Sequence, residues 1–269
     1  ICKIYLGGGI MSRQPRVYSN TGIYHVMIRG INKEKIFSKG VYKFKVLEMI
    51  KEINNEVELC LIAYCVMDNH LHLLLKADEN ELTTFMKRLN ITYAMYYNHF
   101  EERCGHVFQD RYKSEAVEDE KYFFGVLRYI HNNPIKAGIS DKIYNYKWSS
   151  ANDYIKHESK IISDKHLLNV MNSFGNIDEF IKFHNIDDNI VYIDIKEEEA
   201  ERTQYIINNA IEQFINKYQF IDQKQLKQEH KEELANILIE LGVCSLRKIA
   251  GLCNMSNSAI CELNKELKK

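Results

Sequence analysis

Two apolar runs separated by a polar dipeptide strongly limit the folds open to this 269-residue chain. LCLIAYCVM occupies residues 59–67, HLHLLLKA occupies residues 70–77, and Asp68-Asn69 stands between them. Asp and Asn side chains hydrogen-bond to nearby backbone and tolerate tight turns, so this spacing is typical of a β-hairpin. We therefore predict two antiparallel strands joined at Asp68-Asn69.

The segments around this hairpin predict an antiparallel sheet covered by helices. Alternating residues over 17–29 and 106–117 indicate two further strands. Helical spacing of apolar residues predicts helices over 38–54, 79–103 and 118–133. In the first helix Phe44 belongs to the predicted inward stripe, and Pro134 is expected to stop the third helix. The order strand–helix–hairpin–helix–strand–helix is that of an α+β fold.

The pattern changes after about residue 158. Short helices are predicted at 163–172 and 177–184, and residues 186–201 contain seven carboxylates and one lysine. The remainder is predicted to be helical. Residues 1–10 precede the first methionine and are interpreted as an added leader or upstream read-through.

These changes predict a domain organisation. The expected parts are a first domain over 11–158, a helical and acidic connector over 159–201, and an all-α C-terminal domain over 202–269.

The composition argues against a broadly basic DNA-binding surface and against a membrane-spanning protein. The formal net charge is −1, and residues 1–158 hold 22 Lys and Arg against 19 Asp and Glu, so any DNA contact must be local. No apolar run approaches the length of a membrane span, and the seven cysteines form no CxxC pair. We expect a cytoplasmic protein with reduced thiols and no membrane partner.

His70-Leu71-His72 is the motif that carries most chemistry. Residues two apart on a strand point to the same face, so the two imidazoles would project side by side while Leu71 enters the core. Paired imidazoles on a rigid strand offer two lone pairs to a divalent cation. Taken alone, the motif also fits a pair of exposed surface histidines.

The wider context of this motif resembles a known family. CVMDNHLHLLLKA (65–77), YHVMIRG (24–30), FQDRYKSEAV (108–117) and WSSANDY (148–154) are similar to blocks of the single-tyrosine HUH transposases of the IS200-like and REP-associated type. The resemblance covers roughly residues 11–154. It implies a ferredoxin-like antiparallel sheet with covering helices, and a metal-dependent enzyme that cuts and rejoins single-stranded DNA.

VLRYIHNNPIKAGI (126–139) resembles the family's nucleophile segment. The resemblance implies that Tyr129 attacks a DNA phosphodiester and becomes linked to a 5′-phosphate. Asn133 would share one helix face with Tyr129. The resemblance further implies that Asn133 joins His70 and His72 in binding Mg²⁺ or Mn²⁺. Asn132 is a rival ligand.

Three cations near these blocks are candidates for contacts with the DNA backbone. Arg111 and Lys113 stand two apart on a predicted strand, and Arg128 precedes the candidate nucleophile. The alternative is that they are ordinary solvated charges.

Residues 245–267, SLRKIAGLCNMSNSAICELNKEL, resemble a helix-turn-helix. Asn254 takes the turn position usually held by Gly, because Asn tolerates a left-handed backbone. Asn257 and Ser258 would then face DNA at the start of the second helix. The alternative is a helical hairpin that packs only within its own domain.

The resulting functional prediction is metal-dependent nicking and strand transfer of single-stranded DNA that carries a hairpin. A domesticated DNA-binding regulator without catalysis is the alternative, and a metal-binding protein without DNA activity is a third. The family includes monomers and dimers, so a homodimer stays open, although the appended C-terminal region favours a monomer.

Overall fold

The computed structural model describes residues 17–57, 59–186, 192–218 and 226–267, except for the side chains of 194–202. The chain divides into two compact units, the first ending at Ile193 and the second beginning at Asp194. The first unit therefore extends past residue 158, where we placed the end of the first domain.

A four-stranded antiparallel sheet forms the centre of the first unit. Its strands are β1 (Ile23–Arg29), β2 (Cys60–Val66), β3 (His70–Lys76) and β4 (Lys113–Ala116). They lie in the order β2-β3-β1-β4, and every neighbouring pair is antiparallel. This is the arrangement of a ferredoxin-like sheet, and it contains the hairpin predicted from the two apolar runs.

The register of β3 separates its leucines from its histidines. On β1, Met27 pairs with His72 and Arg29 pairs with His70. Because side chains alternate, the intervening Leu71, Leu73 and Leu75 lie on the other face, where they are fully buried. Burial of three leucines holds the strand in this register.

Two helices follow β1 and β3 and pack against each other. They are α1 (Gly40–Asn54) and α2 (Glu79–Phe100). Asp78 and Glu81 form a capping box that fixes the start of α2. The inward position predicted for Phe44 is wrong, because the buried stripe of α1 runs through Val46 and Ile50 and leaves Phe44 60% exposed.

The third helix, α3, spans Glu120–Lys136 and begins at Asp119, whose side chain accepts a hydrogen bond from the backbone N–H of Tyr122. Pro134 does not stop the helix as predicted, but lies in its last turn. So close to the end, a missing N–H removes a single helical hydrogen bond, and Ala137 N–H still donates to the Asn133 carbonyl.

The predicted strand over 106–117 is mostly irregular, since only Lys113–Ala116 joins the sheet as β4. Before it, Phe108 forms one isolated bridge with Gly30. Arg111 therefore precedes the strand instead of sharing a strand face with Lys113, which corrects the prediction.

A buried polar network connects α3 to two later elements. The short helices α4 (Ala151–Lys156), α5 (Asp164–Asn172) and α6 (Ile177–His184) complete the first unit. His131 Nδ1 lies 2.9 Å from His184 Nε2, and His131 Nε2 lies 2.9 Å from Ser150 Oγ. The Ser150 hydroxyl also accepts from the backbone N–H of Tyr64 in β2. The network holds α3 against α6 and the sheet.

The second unit has its own apolar core. Its helices are α7 (Ile193–Lys217), whose first residue still belongs to the first unit, α8 (Gln228–Leu241), α9 (Leu246–Cys253) and α10 (Asn257–Glu266). Leu234, Ile249 and Ile260 are among its fully buried residues. No helix among the described residues has both the length and the apolar character needed to cross a membrane. The six described cysteines are free thiols.

The buried histidine pair makes the stability of the first unit sensitive to acid. Burial lowers the pKa of His184 to about 4, and burial together with His184 lowers the pKa of His131 well below its usual range. An unfolded histidine has a pKa of about 6.5, so the unfolded state takes up protons first as the pH falls. Stability is complete above that pKa and declines towards pH 4, by at most about 1.4 kcal/mol per pH unit for each histidine.

We therefore expect urea unfolding to give a smaller free energy at pH 5 than at pH 7, and a shallower pH dependence in His184→Gln. Equal pH slopes in the two proteins would contradict this account of the pair.

Candidate functional site

The histidine face of the sheet brings together side chains from two strands. His70 and His72 of β3 project from it, and the register places Arg29 and His25 of β1 on the same face. His72 and His25 are fully buried, and Arg29 is nearly so. Polar groups this deep must find partners within the protein.

Helix α3 covers this face with Tyr129 and Asn133, one helical turn apart. Asn133 Oδ1 lies 3.2 Å from His70 Nε2. The ring centroid of Tyr129 lies 5.6 Å from that of His72, with the two rings perpendicular. The four residues singled out from the sequence as nucleophile and metal ligands thus lie together in the structure.

The surroundings of His70 suit a bound cation. Its Nδ1 lies 2.7 Å from Asn69 Oδ1, and its Nε2 faces Asn133 Oδ1. Both neighbours are acceptor oxygens, whereas a neutral imidazole carries one N–H. If Nδ1–H donates to Asn69, the Nε2 lone pair and an amide oxygen point at each other. A cation beside these two atoms would stabilise that arrangement.

His72 is electrostatically suited to act as a neutral ligand. Burial, followed by the nearby His70, His25 and Arg29, holds its pKa well below the usual range for histidine. The neutral ring retains the lone pair that a metal requires.

Asn133 contributes an amide oxygen, so the candidate ligand set does not consist of His, Cys, Asp and Glu alone. Within the part of the chain that the structure describes, no group of three or more His, Cys, Asp or Glu side chains is placed to hold a metal ion. His70, His72 and Asn133 would together offer two nitrogens and one oxygen, a mixed set compatible with Mg²⁺ or Mn²⁺.

The rival ligand Asn132 points elsewhere. Its side-chain amide donates to the backbone carbonyl of His184 at 2.6 Å. Successive residues on a helix differ by about 100° in direction, so only one of the two asparagines can face β3.

Tyr129 is almost completely enclosed, with 3% of its surface exposed. The ring of Tyr192 stacks on it with centroids 4.0 Å apart, and Lys136 Nζ lies 4.7 Å from its centroid. Tyr192 and Lys136 therefore cover the ring of Tyr129 and limit its access to solvent. Nothing in the periodicity of the sequence marked Tyr192 as a neighbour of Tyr129.

The predicted DNA contacts occupy different positions. Lys113 is exposed at the start of β4 and pairs with Met27, which places it on the histidine face, two strands from His72. Arg111 is exposed just before β4. Arg128 is 8% exposed, and its guanidinium lies over the ring of Phe183 at 4.7 Å, so it is not an ordinary solvated charge.

Asn257 and Ser258 lie in the second unit, where both are exposed in the first turn of α10. Ser256 caps this helix through the backbone N–H of Ala259. Asn254 ends α9 in the left-handed conformation, with φ +50°, as expected for the turn between the two helices.

His25 is the site residue that sequence reasoning missed. Its Nε2 lies 3.0 Å from His72 Nδ1. The alternation in YHVMIR placed His25 and Met27 on one face of a strand, but only the pairing of β1 with β3 puts that face beside His72.

Comparison with known proteins finds a matching family, a curated relative and similar solved structures. Residues 18–133 match the family described as "Transposase IS200 like", and this stretch contains both histidines, Tyr129 and Asn133. The predicted resemblance to the IS200-like transposases is confirmed. The matched segment, residues 18–133, is called the IS200-like segment below.

A relative from Haemophilus influenzae, described as a REP-associated tyrosine transposase, is 26% identical over 108 residues. The match covers 36% of this chain and 61% of the relative, so the chain spans less than two thirds of the relative's length.

Two solved structures are also similar. A REP-associated tyrosine transposase bound to a REP hairpin has 17% identity and a TM-score of 0.43, covering 57% of this chain and 91% of its own. A structure described as a transposase from Deinococcus radiodurans R1 has 21% identity and a TM-score of 0.32, covering 45% and 97%. Both scores are below 0.5, so neither superposition bears on the arrangement of the site.

Proposed function

We propose that this protein is a metal-dependent nuclease and strand transferase of single-stranded DNA that works through a covalent phosphotyrosine. One observation carries the proposal: Tyr129 and Asn133 of α3 meet His70 and His72 of β3 on one face of the sheet. The match of the IS200-like segment supports the same class of reaction.

His70, His72 and Asn133 would hold Mg²⁺ or Mn²⁺. When bound, such an ion supplies a Lewis acid that polarises the scissile phosphate. The protein's part is to hold two imidazoles and one amide oxygen within reach of the same phosphate. Asn69 contributes by orienting the His70 ring through Nδ1.

Tyr129 would be the nucleophile. In the cleavage step the phenol loses its proton as its oxygen forms a bond to phosphorus, the bond from phosphorus to the 3′-oxygen breaks, and the 3′-oxygen takes up a proton. The product is a 5′-phosphotyrosine and a free 3′-hydroxyl. Because a phosphodiester bond is exchanged for another phosphodiester, a 3′-hydroxyl can reverse the step without ATP.

A phenol with a pKa of about 10 is unreactive at neutral pH, so cleavage depends on the assembled site. The enclosure of Tyr129 adds a second condition, since substrate must displace neighbouring groups first. Both conditions restrict cleavage to a correctly bound strand.

The DNA backbone would be held by cations near the site. Lys113 stands on the histidine face at an exposed position, and Arg111 is exposed two residues earlier. Arg128 precedes the nucleophile on α3. We propose that these three side chains contact phosphates, and that the strand carries a hairpin near its cleavage point.

We further propose that α9 and α10 form a helix-turn-helix that binds duplex DNA. The capped N-terminus of α10 with exposed Asn257 and Ser258 supports this assignment, because a helix N-terminus attracts phosphate and small polar residues can approach bases. A regulator that binds through this module without cleaving DNA is the competing function.

Tyr129→Phe should abolish covalent adduct formation because it removes the attacking oxygen. The measurement is a denaturing gel after incubation of the protein with end-labelled single-stranded hairpin DNA and Mn²⁺. Tyr192→Phe is the matched control, since it alters the stacked neighbour and should retain the adduct. An adduct that persists in Tyr129→Phe would reassign the nucleophile, and hairpin binding without any adduct in the wild-type protein would favour the regulator.

Asn133→Ala should weaken Mn²⁺ binding at least tenfold, because it removes one of three donors. Asn132→Ala provides the control, since that side chain contacts the His184 carbonyl. Mn²⁺ affinity is measured by electron paramagnetic resonance of the free ion, with folding checked by circular dichroism. Weakened binding in Asn132→Ala alone would transfer the ligand role to that residue.

Asn257→Glu should lower affinity for the hairpin duplex several-fold without destabilising α10. A negative charge in the first turn is favourable for the helix but repels DNA phosphate. Fluorescence anisotropy at two salt concentrations measures the effect, and Asn172→Glu, which adds the same charge at an exposed position in α5, is the control. Equal affinities in both variants and the wild type would argue for a hairpin of helices with no DNA contact.

A further inference from the structure

His25 of β1 contacts His72 on the histidine face of the sheet. On this strand His25 pairs with Leu74, while Met27 pairs with His72. His25 is therefore the diagonal cross-strand neighbour of His72 on one face, a separation that long or aromatic side chains can bridge.

The two imidazoles are in direct contact. His25 Nε2 lies 3.0 Å from His72 Nδ1, and the rings are stacked with centroids 5.2 Å apart and planes inclined by 29°. Both residues are 0% exposed, so no bulk water competes for this hydrogen bond. One of the two nitrogens must donate and the other must accept.

We propose that His25 is a positioning residue that holds His72 in the ring orientation and tautomer needed to bind the metal through Nε2. The inference rests on the metal site proposed above. Because His72 Nδ1 contacts His25, His72 would bind a metal through its other ring nitrogen, Nε2. A neutral ring that offers its Nε2 lone pair carries its proton on Nδ1.

The direction of the hydrogen bond follows. His72 Nδ1–H donates to His25 Nε2, and His25 keeps its own proton on Nδ1. Metal-ligating histidines are commonly held in this way by a partner on the second nitrogen, usually a carboxylate or a carbonyl. Here a third histidine takes that place, and it comes from the strand beside β3.

Removing the acceptor should therefore weaken metal binding. We expect His25→Ala to raise the Kd for Mn²⁺ about 10- to 100-fold, the range found when such partners are lost. His25→Gln should recover most of the affinity, since its side-chain oxygen can accept from His72 Nδ1–H. The titration uses the full-length protein without DNA, so its readout is independent of cleavage.

The buried pair of His131 and His184 offers a matched control. It has the same kind of contact, with His131 Nδ1 2.9 Å from His184 Nε2, and both rings are buried. His184→Ala should lower the melting temperature because it removes a buried side chain. It should leave the Kd for Mn²⁺ unchanged. Equal losses of affinity in His25→Ala and His184→Ala would mean a general structural effect and would overturn the proposal.

Nitrogen-15 chemical shifts of the histidine rings test the tautomer directly in the wild-type protein, whether or not a variant folds. The expected result is a proton on His72 Nδ1. A proton on His72 Nε2 would overturn the proposal, as would unchanged Mn²⁺ affinity in folded His25→Ala.

Failure of the underlying metal site has a different signature. In that case the wild-type protein would bind no Mn²⁺, or would bind it no better than His70→Ala. If the wild-type protein binds Mn²⁺ and His70→Ala binds it more weakly, the metal site is present. The Mn²⁺ affinity of the His25 variants then tests the role of His25 alone.

Discussion

The division of β3 between two environments is the constraint on which the candidate site depends. Leu71, Leu73 and Leu75 are buried on one face, while His70 and His72 meet α3 on the other. Side chains alternate with a period of two, so a slip of one residue would exchange the histidines and the leucines. Each buried leucine contributes about 1.5–3 kcal/mol relative to exposure. The apolar face therefore stabilises the register that presents the imidazoles.

The histidine face combines burial with unusually dense polar contact. His72 lies within hydrogen-bond distance of His25, and His70 lies between Asn69 and Asn133. Burial keeps His72 neutral, which preserves its lone pair. The same loss of water strengthens any interaction between these donors and a cation or a phosphate. Enclosure under α3 therefore restricts access to the candidate site and would strengthen these interactions.

Neighbouring residues of helix α3 contact different parts of the structure. Tyr129 and Asn133 face the sheet histidines, whereas His131 and Asn132 contact His184 of α6. The two sets lie on different sides of the helix, so the contacts with α6 and the candidate ligands are separate.

Local patterns in the sequence were enough to predict the hairpin at Asp68-Asn69, the shared face of His70 and His72, and the one-turn spacing of Tyr129 and Asn133. These features depend on residues close in the chain, whose periodicity is independent of distant partners. Pro134 was misread because its effect depends on how near the helix end lies, and Phe44 because a helix has several apolar faces from which only packing selects one. The contact of His25 with His72 and the stacking of Tyr192 on Tyr129 were decided by tertiary structure. Both join segments far apart in sequence, and their distances depend on strand register and helix rotation, which no single segment encodes.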